Sequence, residues 1–204
     1  MTTQKEKMSY IIGFDVGKNM LVDFKQRGIE VDNALLLNGL KDALNEKESA
    51  ISEEETQKAT LEFQQMLTEK QNAASAAARK AGDDFLTENA KKEGIKVTTS
   101  GLQYKIITEG TGKSPLPTNT VVVHYRGKLI DGTVFDESYQ RGEPATFPLN
   151  QVIKGWTEGL QLLKEGGKAE LYIPAELGYG DRGAGQLIPP GAALIFEVEL
   201  IKVQ

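Results

Sequence analysis

Hydrophobic and polar residues are arranged in two different ways along this chain. In the first half the apolar positions recur at helical intervals. Tyr10, Phe14, Leu21 and Phe24 mark one face, with Gly28 as a stop; after Asp32, Leu36, Leu40 and Leu44 follow four residues apart. Ser52 then opens a Ser-Glu-Glu-Glu capping box, with Glu55 at the third helical position. From there to about Glu93 the chain has no proline and one glycine, Gly82, and is dominated by Ala, Glu, Lys and Gln, all strong helix formers. A long third helix is predicted over about residues 52–93. Its early part carries Leu61, Phe63, Met66 and Leu67, whereas the alanine-rich run 73–84 has no large apolar side chain to bury. That favours an exposed connector bridging solvent over a bundle packed on the second half.

The second half alternates with a period of two. Residues 120–130 read as a strand, and Asp131-Gly132 is a hairpin turn leading into Val134-Phe135. Residues 102–107, 169–173 and 194–203 form further strands, and Val152, Trp156, Leu160 and Leu163 share one face of a short helix over about 152–163. All seven prolines and 15 of the 21 glycines lie beyond residue 100, which fits turns there and helices before. The predicted fold class is α+β: an all-α region over residues 1–95, then an antiparallel sheet with one short helix over 96–204. The first helices carry more apolar residues than a small bundle can cover, so a homodimer through residues 1–50 is expected.

Composition removes several kinds of chemistry. The chain has no cysteine, which excludes disulfides, thiolate metal sites and a cysteine nucleophile. Its net charge of −5 disfavours nucleic acid as a partner. No window approaches the length of apolar residues needed to span a membrane, and none near the N-terminus has signal-peptide length. A cytoplasmic location is therefore expected, or a periplasmic one if a leader preceded Met1. His124 is the sole histidine and sits within a strand, where a structural role suits it better than catalysis. No Gly-x-Ser-x-Gly elbow is present. Gly178-Tyr-Gly-Asp-Arg-Gly183 matches a dinucleotide fingerprint, but the Pro189-Pro190 that follows bars the helix this motif requires. What remains is a concentration of aromatic and branched residues beside turns; by default most of these are core, but several lie on glycine-rich loops, where large apolar residues often line a pocket.

These residues carry a resemblance. Val123-His-Tyr-Arg-Gly-Lys-Leu129, Asp131-Gly-Thr-Val-Phe-Asp136, Val152-Ile-Lys-Gly-Trp156, Gly178-Tyr-Gly180, Leu187-Ile-Pro-Pro190 and Leu194-Ile-Phe-Glu-Val-Glu-Leu200 resemble, in order and spacing, the blocks of an FKBP-type peptidyl-prolyl cis/trans isomerase domain. The resemblance implies a twisted half-barrel wrapped around one short helix, with a hydrophobic cleft between them. It places Trp156 at the cleft floor and Tyr125, Phe135, Phe147, Val152, Ile153 and Phe196 in the walls. Tyr179 becomes the hydroxyl that bonds a ligand carbonyl, Asp136 the carboxylate at the rim with Arg141 beside it, and Leu187 and Ile188 the overhanging loop. Ala145 stands where an aromatic wall residue is frequent, which should open the cleft on that side. The N-terminal helices are similar to the dimerisation region of bacterial FKBPs akin to macrophage infectivity potentiator. The implied activity is rotation about Xaa-Pro bonds in folding proteins, inhibited by tacrolimus or rapamycin and requiring no cofactor or metal, with chaperone-like binding of unfolded chains by the dimer. The competing reading is a module that grips proline segments without turnover.

Overall fold

The computed structural model describes residues 3–204, apart from the side chain of Gln26. Two compact units divide the chain, residues 1–68 and 69–204.

In the first unit, α1 (Gln4–Arg27) opens on a capping box between Thr3 and Glu6 and closes on Gly28. Gly28 adopts the left-handed conformation (φ 61°) that stops a helix at little cost for glycine. Helix α2 (Asn33–Leu44) begins where the Asp32 carboxylate accepts hydrogen bonds from the Ala34 and Leu35 amides. Helix α3 (Glu53–Asn89) starts at the foreseen Ser52–Glu55 box and continues into the second unit. Among the described residues, no apolar side chain before Leu86 is buried. Tyr10, Ile12, Phe14, Leu35, Leu37 and Leu44 are each more than half exposed.

The second unit is a seven-stranded antiparallel sheet. Its strands are β1 (Lys96–Val97), β2 (Gln103–Thr108), β3 (Thr120–Leu129), β4 (Val134–Glu137), β5 (Ala145–Pro148), β6 (Lys168–Ile173) and β7 (Leu194–Val203). The order is β1-β2-β6-β7-β3-β4, and β5 shares the outer edge of β3 with β4. Helix α4 (Lys154–Gln161) lies on β6 so closely that a Cβ on Gly155 would meet Ile173 at 2.6 Å and one on Gly159 would meet Leu171 at 2.7 Å. Leu102, Val121, Val123, Leu149, Leu160, Leu171 and Val198 fill the space between, fully buried. The long strands and the Asp131-Gly132 hairpin match the sequence reading to within two residues. The strands β1 and β5 were not foreseen; both are short, and β5 sits between Pro144 and a terminal Pro148.

One expectation is overturned. The late part of α3 is not an exposed connector but part of the second unit. Gly82, Leu86 and Asn89 are buried there. The contact is made by small residues at close approach rather than by apolar area: a Cβ at Gly82 would stand 3.0 Å from the Ala193 Cβ, while most of the neighbouring alanines stay exposed. Leu86 packs with Tyr172, Ala193 and Ile195. Asn89 Nδ2 donates to Gln103 Oε1 at 3.0 Å, and Gln103 Nε2 donates to the Leu86 carbonyl at 2.8 Å.

Candidate functional site

A cleft of about 550 Å³ opens between α4, the inner face of the sheet and the β6–β7 connection. Its floor is Trp156, brought into the cleft by the first turn of α4 and only 4% exposed. Three rings meet the indole nearly at right angles: Tyr125 at 5.1 Å, Phe196 at 5.2 Å and Phe147 at 5.6 Å between centroids. Edge-to-face packing is the favoured geometry for aromatic quadrupoles and fixes each ring against its neighbours. The indole Nε1 is buried without a partner among the described residues, so ring packing alone holds the side chain. Phe135 stands against Phe196 at 5.5 Å, and both rings lean over Gly127, where a Cβ would come within 2.5 Å of Phe135. Val152 and Ile153, immediately before α4, complete that wall, and Leu187 and Ile188 close the side formed by the connection.

The polar edge is a closed ring of three groups. Tyr125 Oη donates to Asp136 Oδ2 at 2.5 Å, Arg141 Nη1 donates to Asp136 Oδ1 at 2.8 Å, and Arg141 Nη2 donates to Tyr125 Oη at 2.8 Å. Desolvation would raise the Asp136 pKa, yet the Tyr125 and Arg141 hydrogen bonds and the Arg141 charge together hold it below its usual value. Burial, then the bond to Asp136, pushes Tyr125 up. Burial and the Asp136 charge do the same for Tyr179, which remains a hydroxyl donor across neutral pH. With its pKa lowered, Asp136 stays charged down through the usual carboxylate range; the stability it contributes is present above that range and is lost as pH falls to and below the depressed pKa. We expect kcat/KM to stay level from pH 8 down to about 4, the ordinary Asp value, and to fall only below it. A titration of activity centred near pH 6–7 would contradict that ring.

Every aromatic residue assigned from sequence lines this cleft, as do Asp136, Val152, Ile153, Leu187 and Ile188. Arg141 does not line it; it sits behind Asp136, at the end of a single helical turn that Gly142 closes at φ 75°. Ala145 is absent from the lining too: it pairs with Val123 and packs, half-buried, on the core, so the expected opening is not at that residue. Gln151 was missed; Ala184, Gly185 and Gln186 line the cleft as part of the overhanging loop, residues 181–187, that the resemblance implied. Ala184 and Ile188 exchange two backbone hydrogen bonds, pinching the loop between them into a tight rim. Ser138 was missed as well. Fully buried where β4 and β5 part from β3, its Oγ accepts from the Tyr125 amide at 2.9 Å and its own amide donates to the Tyr125 carbonyl at 3.0 Å. His124 has the structural role foreseen, with Nδ1 2.9 Å from Ser138 Oγ and its ring stacked on Tyr139. The residues of the dinucleotide-like motif form short turns, with no strand–helix junction.

Comparison with known proteins decides the family. Residues 112–201 match the model of the FKBP-type peptidyl-prolyl cis-trans isomerase, and residues 5–106 match that of the domain amino-terminal to it. The chain is 45% identical over 202 residues to the Escherichia coli FKBP-type 22 kDa peptidyl-prolyl cis-trans isomerase, covering 98% of this chain and 96% of that protein. The protein belongs to the FKBP-type peptidyl-prolyl cis-trans isomerase family. Outer membrane protein MIP of Legionella longbeachae is 46% identical over 208 residues, covering all of this chain and 88% of that protein. The crystal structure of FkpA from Escherichia coli superimposes with a TM-score of 0.73 at 38% identity, covering 100% and 98% of the two chains. As an FKBP-type enzyme it catalyses peptidyl-prolyl cis/trans isomerisation, and proline-containing chains are its substrates. The expected cytoplasmic location finds no support among these relatives, one of which is named an outer membrane protein. No helix among the described residues is long and apolar enough to cross a membrane.

Proposed function

We propose that this FKBP isomerises Xaa-Pro bonds by enclosure on Trp156 and holds unfolded clients as a homodimer. The observation that carries the first part is the aromatic-lined cleft above a single indole. Amide resonance sets a barrier of about 18–20 kcal/mol to rotation. At the top of that barrier the carbonyl is less polar and the nitrogen carries a lone pair, so an apolar enclosure favours the twisted bond and water the planar one. Trp156, Tyr125, Phe135 and Phe196 would receive the proline ring. Tyr179 would donate to a neighbouring carbonyl and so select the rotated geometry, an interaction better made in the transition state than in the ground state. Asp136, fixed by Arg141, orients Tyr125, while Phe147, Val152, Ile153, Leu187 and Ile188 bind the flanking chain. No nucleophile or proton relay enters this scheme. The same cleft would accept tacrolimus- and rapamycin-type inhibitors.

The second part rests on the first unit. Its exposed apolar side chains leave an area uncovered that a second copy would bury, with residues 1–50 as the interface. Residues 1–68 then act as the dimerisation region and the first part of its helical arm, and residues 69–204, the late part of α3 included, as the isomerase unit, in place of the boundary at 95–96 read from the sequence. Two clefts in one dimer raise the local concentration of binding sites for a single unfolded chain. The name of the Legionella relative supports action in the cell envelope. A shortened chain, residues 69–204, provides the test. It should match the full chain on a short Xaa-Pro peptide, yet lose roughly tenfold in catalysing a proline-limited refolding reaction. Light scattering should report twice the chain mass for the full protein and one chain mass for the shortened one. A monomeric full chain, or equal refolding activity for both, would remove the dimer and its holding role.

A further inference from the structure

The connection between β6 and β7, residues 174–193, presents Tyr179 to the cleft and carries the rim at 184–188. Among the described residues no protein group hydrogen-bonds the Tyr179 hydroxyl, so its position is only as good as that of the loop bearing it. What holds the loop from behind is α3. Ser75, Arg79 and Gly82 lie on successive turns of one helical face, and each meets the connection. Gly191, at φ 76°, abuts the Ser75 carbonyl, where a Cβ would come within 2.6 Å; its own amide donates to the Gly180 carbonyl at 2.9 Å. Gly82 abuts Ala193. Between them, Arg79 Nη1 donates to Glu176 Oε1 and Nη2 donates to Asp181 Oδ1 at 2.6 Å. Glu176 precedes Tyr179 by three residues and Asp181 follows it by two, so one planar guanidinium spans both sides of the tyrosine.

We propose that Arg79, on the long helix and outside the cleft, is a positioning residue for catalysis: by clamping Glu176 and Asp181 it fixes the loop that presents the Tyr179 hydroxyl. Both carboxylates are mostly exposed, and ion pairs of that kind add little to global stability. The clamp therefore acts on where the loop sits rather than on whether the domain folds. Lysine, a point charge on a flexible stem, cannot bridge both carboxylates as the fork of arginine does. The inference rests on the role given above to Tyr179, and the test separates the two.

In the full chain, Arg79→Gln keeps the stem and removes the charge. We expect it to lower kcat/KM on a short Xaa-Pro peptide about fivefold, the scale of a small misplacement of a catalytic group. Its melting temperature should stay within about 2 °C of the parent. Arg79→Lys should recover part of the loss. In a Tyr179→Phe background Arg79→Gln should add no further loss, because residues acting through one another are not additive. Salt at about 1 M, which screens exposed pairs, should reduce the parent toward the Arg79→Gln value and leave that variant unchanged. If Tyr179→Phe is impaired while Arg79→Gln is not, or if the two losses simply add, the clamp is refuted and the tyrosine's role stands. If Tyr179→Phe is fully active, the tyrosine's role fails and the clamp with it.

Discussion

Asp136→Ala is expected to lower kcat/KM on a short Xaa-Pro peptide by about 30-fold, while leaving the fold intact. Asp136 closes the polar ring, taking one hydrogen bond from Tyr125 and one from Arg141. Without it the Tyr125 O–H has lost its acceptor, and the Arg141 guanidinium behind it has lost its carboxylate partner. Hydrogen bonds to charged groups contribute about 1.5–3 kcal/mol, and each 1.36 kcal/mol is tenfold in rate; about 2 kcal/mol gives the stated factor. The damage reaches the proline site because the Tyr125 ring packs edge-on against Trp156 at 5.1 Å. Asp136→Asn keeps a carbonyl acceptor and loses the charge, so a smaller loss of about fivefold is expected. A cycle with Tyr125→Phe distinguishes two roles for the carboxylate. If Asp136 works by holding Tyr125, Asp136→Ala adds little once the hydroxyl is gone. A full 30-fold loss in the Tyr125→Phe background would instead assign the carboxylate a direct electrostatic action on the rotating carbonyl. Full activity of Asp136→Ala would remove the ring from the mechanism altogether.

The cleft was legible in the sequence because its parts sit next to turns. Asp131-Gly132 fixes the register of β3 against β4, and that register brings Tyr125 within reach of Asp136. The step from Val152 and Ile153 into α4 places Trp156 one turn on. Such local geometry leaves a local trace. Gly127 shows where the trace ends: its lack of a side chain lets Phe135 and Phe196 meet over the strand, but nothing in the chain order says which rings will cover it. Ser138 is harder still, since its work is to cap a gap in hydrogen bonding that exists only because β4 and β5 share one edge of β3. The late part of α3 misled for a related reason. Hydrophobic periodicity registers large side chains, whereas Ser75 and Gly82 dock by being small.

That docking determines how much of the chain the isomerase domain needs. A chain restricted to residues 96–204, cut where the sequence alone places the domain boundary, is expected to melt at least about 10 °C below one comprising residues 69–204. The shorter chain loses Leu86, together with the partly buried Phe85 and Ile95, from a cluster with Tyr172, Ala193 and Ile195. Full burial of such a side chain is worth about 1.5–3 kcal/mol, so one full and two partial burials, less the cost of ordering the helix end, come to about 4 kcal/mol. That is a large share of the 5–15 kcal/mol that holds a domain together, and at about 3 °C per kcal/mol for a chain of this size it gives the stated shift. Gln103 also loses both of its helix partners, and Tyr172 and Ile195 become open to solvent on the outer face of the sheet. The shorter chain should therefore bind an apolar dye that the longer one ignores. Leu86→Ala within residues 69–204 isolates one contact and should reproduce about 2–3 kcal/mol of the loss by denaturant titration. Equal melting temperatures for the two chains would mean that the helix end merely rests on the sheet, and the boundary read from the sequence would then be the better one.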